Sequence, residues 1–257
     1  MYNLLNNILS DRKGGVTFYC FSIWHYIYII ATVVTATLLI VFLSGKSDGK
    51  KEKVCRIIIN IAFGLYIADF FLMPLAYGEI DIEKLPFHIC TATCILCFLS
   101  TRYERLGQYR SNIAMLAFIS NLVYLIYPAG VMWQQVHPLS YRVVQTLVFH
   151  SIMTVYGLCV LVFNRHVLEW KKCYRDLIIV SSICLWAVLG NIVYNGSVGD
   201  YNHFFNWFFV MRDPFYIIPE GIAPYIMPFL NIMVFFTVEN LIYLIHNVAI
   251  ANNKNDN

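Results

Sequence analysis

The sequence predicts an all-α, polytopic membrane protein: a seven-transmembrane-helix bundle with the N-terminus outside and the C-terminus cytoplasmic. Three observations carry this. Of 257 residues, 59% are hydrophobic and 13% charged, about half the ~25% charged share of a soluble domain. The apolar runs reach the ~20 residues that cross a ~30 Å hydrocarbon core. Lys and Arg collect in alternate connections, and that asymmetry sets orientation. The formal charge of +3 and the mean hydropathy of +0.62 leave membrane lipids, and not nucleic acid, as the expected partner.

The chain opens with a polar segment, 1–18, without the basic start and small-residue cleavage site of a signal peptide; it reads as interfacial. A transmembrane domain over 19–246 follows. Its seven segments run over Tyr19–Ser44, Val54–Tyr77, Leu85–Ser100, Asn112–Tyr127, Tyr141–Phe163, Asp176–Tyr194 and Gly221–Ile245. Residues 247–257 form a polar tail of disordered composition.

Twelve basic residues lie in the first, third and fifth connections and the tail: Lys46, Lys50, Lys51, Lys53, Arg102, Arg105, Arg110, Arg165, Lys171, Lys172, Arg175 and Lys254. Five lie on the opposite side (Arg12, Lys13, Lys84, Arg142, Arg212), and Arg56 sits just inside the second helix. The positive-inside rule then makes the tail cytoplasmic, and a plasma-membrane location is expected.

All eight prolines fall toward the outer side of this topology. Backbone freed by proline is tolerated at membrane depth only inside protein or beside a wet cavity, so a pocket is expected there. Buried polar residues agree: His25, Asp69, His88, Cys90, Asn121 and Asn191 map to that half or to mid-helix.

The third segment, Leu85-Pro-Phe-His-Ile-Cys-Thr-Ala-Thr-Cys94, is too apolar for a loop and too polar for lipid, so it reads as the central helix. Pro86 suits a first helical position, putting His88 in the first turn. Cys90 and Thr91 then lie where a helix N-terminus favours a nucleophile. His88 and Cys90, two apart, do not face each other, so a base must come from another helix. Most of the eight cysteines lie in apolar runs and read as free, buried thiols.

In the fifth segment Arg142, Thr146, His150, Thr154 and Gly157 are spaced by three or four and share one face. That face must point inward, because histidine facing lipid is costly. The alternative to a functional stripe is a polar seam between helices. The long outer connection, Asn195 to Glu220, is too aromatic for a solvated loop and too charged for a span; an interfacial or re-entrant segment fits. Within it Asn206 and Arg212 are candidate binding groups, the arginine for a phosphate or carboxylate.

Four short motifs recur together: Phe18-x-x-Phe-Ser-x-x-His25, Leu85-Pro-Phe-His-Ile-Cys90, Tyr141-Arg-x-x-Gln-x-x-x-x-His150 and Asn206-Trp-Phe-Phe-x-x-x-x-Pro214. With them the chain resembles the YwaF-like family of integral membrane proteins, which takes in the eukaryotic transmembrane protein 164. The eukaryotic branch is associated with phospholipid acyl transfer through a cysteine and a histidine. More distantly similar membrane hydrolases of fatty-acid esters use a threonine and a histidine. The resemblance implies that His150 is catalytic. It aligns the eukaryotic cysteine with Phe87 of this chain, so Cys90 and Thr91 stay open as nucleophiles.

Two function classes follow. One is an intramembrane acyltransferase or hydrolase acting on lipid esters from an outer-half pocket. There Cys90 or Thr91 attacks, His150 is the base, and His25 or His88 orients it or donates to the oxyanion. Asp69, Asn121, Asn191, Asn206 and Arg212 are the expected substrate-binding groups. The other is a non-enzymatic transporter, binding or accessory protein using the same polar cavity. A metal site from Asp69, His25, His88 and His150 lacks any helical ligand pair, so neither metal nor cofactor is expected.

Overall fold

The computed structural model describes residues 16–78, 81–132, 135–164, 168–198 and 205–255. Most of the expected interfacial segment 1–18, with Arg165 and part of the long outer connection, lies outside these. Seven principal helices follow one another: α1 (Ile23–Ser44), α2 (Asp48–Tyr77), α3 (Ile89–Ser100), α4 (Arg110–Ile126), α5 (Tyr141–Phe163), α6 (Tyr174–Val198) and α7 (Ala223–Asn255). No strand occurs among the described residues.

Six of these helices are long and apolar enough to cross a membrane; α3 is the exception. Its 12 residues extend about 18 Å at 1.5 Å each, short of a ~30 Å core. The expected third span therefore starts four residues late. His88 is the N-cap, in extended conformation, and Pro86 is not in the helix at all. Proline disfavours helix for the residue before it; Leu85 and His88 are extended, and Pro86 and Phe87 between them make a turn closed by the Phe87 N–H on the Leu85 carbonyl. α7 continues as helix to Asn255, through most of the stretch read as a tail.

Contacts along facing helices fix their directions. Phe63 of α2 stacks on Phe98 of α3 at 3.8 Å, and Tyr66 reaches the Lys84 carbonyl just before α3. His150 of α5 stacks on Tyr124 of α4, while Gly157 meets Ala114 and Phe118. Neighbours thus run antiparallel. One end of the bundle carries Lys46, Lys51, Arg102 and Arg175; the other carries Pro74, Pro86, Pro128 and Pro214, and is called here the proline-rich end.

The interior is shared by α3, α4 and α5. Seven of 12 residues are buried in α3 and 11 of 17 in α4, so the third helix is not alone at the centre. Burial falls from 67% of the α5 span to 11% of the α7 span. The outer faces of α1, α6 and α7 are apolar, with Ile30, Leu38, Val193 and Phe229 exposed. Lipid is as apolar as leucine, so close packing of small residues takes over the work of association. Ala114, Ala117 and Gly157 supply it between α4 and α5.

Candidate functional site

The turn before α3 lies at the proline-rich end, where four elements meet. Phe87 wedges against α6 at Gly190, where a Cβ atom would come within 2.4 Å of its ring. Trp186, Tyr194 and Trp207 surround that ring. Only glycine admits the wedge, and the wedge holds His88 and the start of α3 in place. No side chain caps α3, so its first-turn N–H groups have no side-chain acceptor there.

Over this terminus folds the segment 205–212. Phe208 and Phe209 have φ of 56° and 53°, a left-handed conformation costing roughly 1–3 kcal/mol each. Asparagines hold it there. Asn191 accepts from the Trp207 N–H and donates to its carbonyl at 3.0 Å. Asn195 does the same for Phe205. Asn231 donates to the Phe208 carbonyl at 2.7 Å, and Asn206 ties Met211 and Arg212 within the loop. Asn191 and Asn206, expected as substrate-binding groups, thus pin this loop. Asp213, outside the spans, accepts from the Phe215, Ile217 and Ile218 N–H groups. The Phe215 bond above all holds its carboxyl below the usual carboxylate range. Arg212 lies 3.9 Å from Glu220.

The three histidines take distinct states, because each partner admits only one role. His25 accepts at Nδ1 from the Phe21 N–H (2.9 Å) and donates from Nε2 to the Leu125 carbonyl (2.6 Å). Both ring nitrogens are spent joining α1 to the end of α4. His88 accepts at Nδ1 from the Phe208 N–H at 3.4 Å, leaving Nε2–H as a donor. His150 donates from Nδ1 to the Thr146 carbonyl at 2.8 Å. Its Nε2 lone pair takes no hydrogen bond from the described residues.

The charge of Lys84 acts on both His88 and His150, and His88 acts on His150. Tyr124 stacks on His150 at 3.8 Å and feels Cys90 and Glu83, while the Cys90 thiol interacts with Ser120. Cys90 therefore lies toward Ser120 and Tyr124 of α4. The Thr91 hydroxyl is half-buried and donates to the His88 carbonyl at 2.9 Å.

Asp69 is buried, bound by the Tyr141 hydroxyl at 2.8 Å and by Lys84 at 3.1 Å. It clamps α2, the 82–84 turn and α5 together, Oδ1 through the hydrogen bond and Oδ2 through the ion pair, without a hydrogen bond among the described residues. Asn121 donates to the Ala117 carbonyl, and its buried Oδ1 has no partner among the described residues. Sequence reasoning missed Lys84, Ser120 and Tyr124. The first was counted as a topological charge, and the other two look like ordinary residues of an apolar helix. Their signal was spacing, since Ser120 and Tyr124 are four apart.

A second feature lies on the lipid side. Between α1, α2 and α5 runs a groove of about 510 Å³, with Trp24, Tyr28, Leu39, Ile58 and Val148 in its wall. Its polar residues Thr32 and Ser151 bond each other at 2.7 Å.

Among known proteins, neither a curated sequence nor a solved structure matches. The TMEM164 family matches residues 20–248. With six apolar helices of spanning length and a match over most of its length, this integral membrane protein belongs to the TMEM164 family.

Proposed function

We propose that the protein is an intramembrane acyltransferase or hydrolase of lipid esters, with Cys90 as nucleophile and His150 as general base. The observation that carries this reading is the Nε2 of His150, which no described residue hydrogen-bonds. Its Nδ1–H is locked to Thr146, so the ring presents a basic lone pair in a fixed direction, beside Tyr124. Of the two nucleophiles left open by the sequence, Cys90 is favoured because it lies toward Ser120 and Tyr124 of α4.

In this reading the Cys90 sulfur adds to the acyl carbonyl and its proton passes to His150 Nε2. The ester C–O bond then breaks, and the departing alcohol takes that proton, leaving a thioester. Water or a lysolipid hydroxyl attacks the thioester, again giving its proton to Nε2, and that proton returns to the thiol. The uncapped first turn of α3 and the His88 Nε2–H supply donors for the oxyanion. The apolar groove between α1, α2 and α5 suits an acyl chain. From Trp24 to Leu39 it follows 16 residues of α1, or about 22 Å of helix. The reading includes seven crossings, a site in the outer half of the plasma membrane, and the kinship with YwaF-like proteins.

The test uses the purified protein in lipid nanodiscs with a fluorescent phospholipid ester. His150→Ala is expected to lower turnover by roughly 10²–10⁴-fold. Cys90→Ala is expected to abolish a trapped thioester that Thr91→Ala retains. Wild-type turnover in His150→Ala would sink the enzyme reading and leave a non-catalytic transporter, binding or accessory role for the same cavity.

A further inference from the structure

At the opposite, basic end of the bundle lies a polar cluster that the acyl chemistry does not use. Asp176 of α6 is 1% exposed. It accepts from the Asn112 amide of α4 at 2.9 Å and from the Tyr243 hydroxyl of α7 at 2.8 Å. Asn112 also donates to the Tyr243 oxygen at 3.0 Å. Two donors, one on each carboxylate oxygen, match an ionised Asp176. One turn before Tyr243 on α7 stands Glu239, with no exposed surface. Both its oxygens are buried without a hydrogen-bond partner among the described residues. The charged group whose field reaches Glu239 is Asp176, and Tyr243 feels both carboxyls.

Two carboxylates side by side in an apolar interior are not sustained without positive charge. The charge of Arg175 acts on Asp176, but the charge that reaches Glu239 is that of Asp176 alone among the described residues. Arg175, next to Asp176, sends its guanidinium to the Gln108 carbonyl and the Tyr109 ring. Arg110 pairs with Glu52. The remaining titratable neighbours are Cys173, which adjoins Tyr243, and His246, three residues on along α7, whose ring nitrogens are buried without a partner. Met115, Ile119, Leu161 and Leu168 pack apolar surface around Tyr243.

We infer that Glu239 and Asp176, beside the Tyr243 hydroxyl, form a binding site for one exchangeable monovalent cation, a proton or an alkali-metal ion. The donors are all hard oxygens, which suit such an ion and not a soft metal. Among the described residues no third carboxylate, thiol or histidine joins the pair as a metal ligand, so a divalent ion lacks its usual donors. Placed between α4, α6 and α7, the ion ties the peripheral α7 to the interior. The site is independent of the proposed catalysis.

The experiment is thermal unfolding of the purified full chain in nanodiscs. Sodium chloride replaces N-methylglucamine chloride at constant ionic strength, at mildly alkaline and mildly acidic pH. For an alkali-metal ion, sodium raises the unfolding temperature by roughly 2–8 °C at alkaline pH, less at acidic pH, and not in Glu239→Gln. For a proton alone, sodium has no effect; acidification stabilises the wild type, and Glu239→Gln loses that dependence. Trp170, 6.5 Å from Tyr243, gives a fluorescence readout that does not require unfolding. Tyr243→Phe keeps both carboxyls, so it is expected to weaken the sodium or proton response without abolishing it. If wild type and Glu239→Gln respond alike to sodium and to pH, by both readouts, the site does not exist.

Discussion

His25 and His150 are both buried imidazoles, yet their hydrogen bonds commit them to different work. His25 spends both nitrogens on backbone groups of Phe21 and Leu125. His150 spends one and keeps the other. Removing His25 leaves the part-buried Phe21 N–H and the buried Leu125 C=O unpaired, the buried group at roughly 1–3 kcal/mol. His25→Ala is therefore expected to lower the unfolding temperature clearly. His150→Ala should lower it less, because it frees one carbonyl whose second lone pair already serves the helix. Turnover should show the reverse order of severity. An unchanged unfolding temperature in His25→Ala would refute its tethering role.

At the scale of elements, the approach of α4 and α5 depends on one missing methyl group. A Cβ at Gly157 would lie 2.7 Å from the Ala114 carbonyl and 2.9 Å from the Phe118 nitrogen. These are backbone atoms, so the helices must part. Gly157→Ala should destabilise by about 1–3 kcal/mol, the usual cost of overpacking. Because α4 carries Tyr124 and α5 carries His150, turnover should fall as well. Gly64 in α2 has nothing within 4 Å, so Gly64→Ala is the control and should leave unfolding close to wild type. Equal behaviour of the two variants would mean that the α4–α5 distance is set elsewhere. The polar stripe on α5 is legible at this scale too: Thr146 anchors His150, Thr154 returns to the His150 carbonyl, and Gly157 packs.

For the whole molecule, the charge asymmetry predicts that the basic end is cytoplasmic. With Cys20 and Cys173, the two free thiols not fully buried, replaced by serine, Asp48→Cys should be labelled by a membrane-impermeant maleimide only after permeabilisation. Labelling of intact cells would invert the orientation. Class and site differ in how far they could be read from the chain. The all-helical class and the long apolar helices follow from composition and run length, because a bilayer leaves the backbone few ways to satisfy its hydrogen bonds. The polar face of α5 follows from helical period alone. Tertiary structure decided the rest. Whether a buried asparagine binds a ligand or pins a loop depends on which backbone it meets, and Asn191, Asn195 and Asn231 meet the 205–212 segment. Whether α3 spans by itself depends on where Phe87 wedges against Gly190. Which histidine keeps a lone pair depends on partners up to 120 residues away, as for His88 and Phe208. A linear chain encodes such pairings only through its packing, so period and composition end where contacts between distant segments begin.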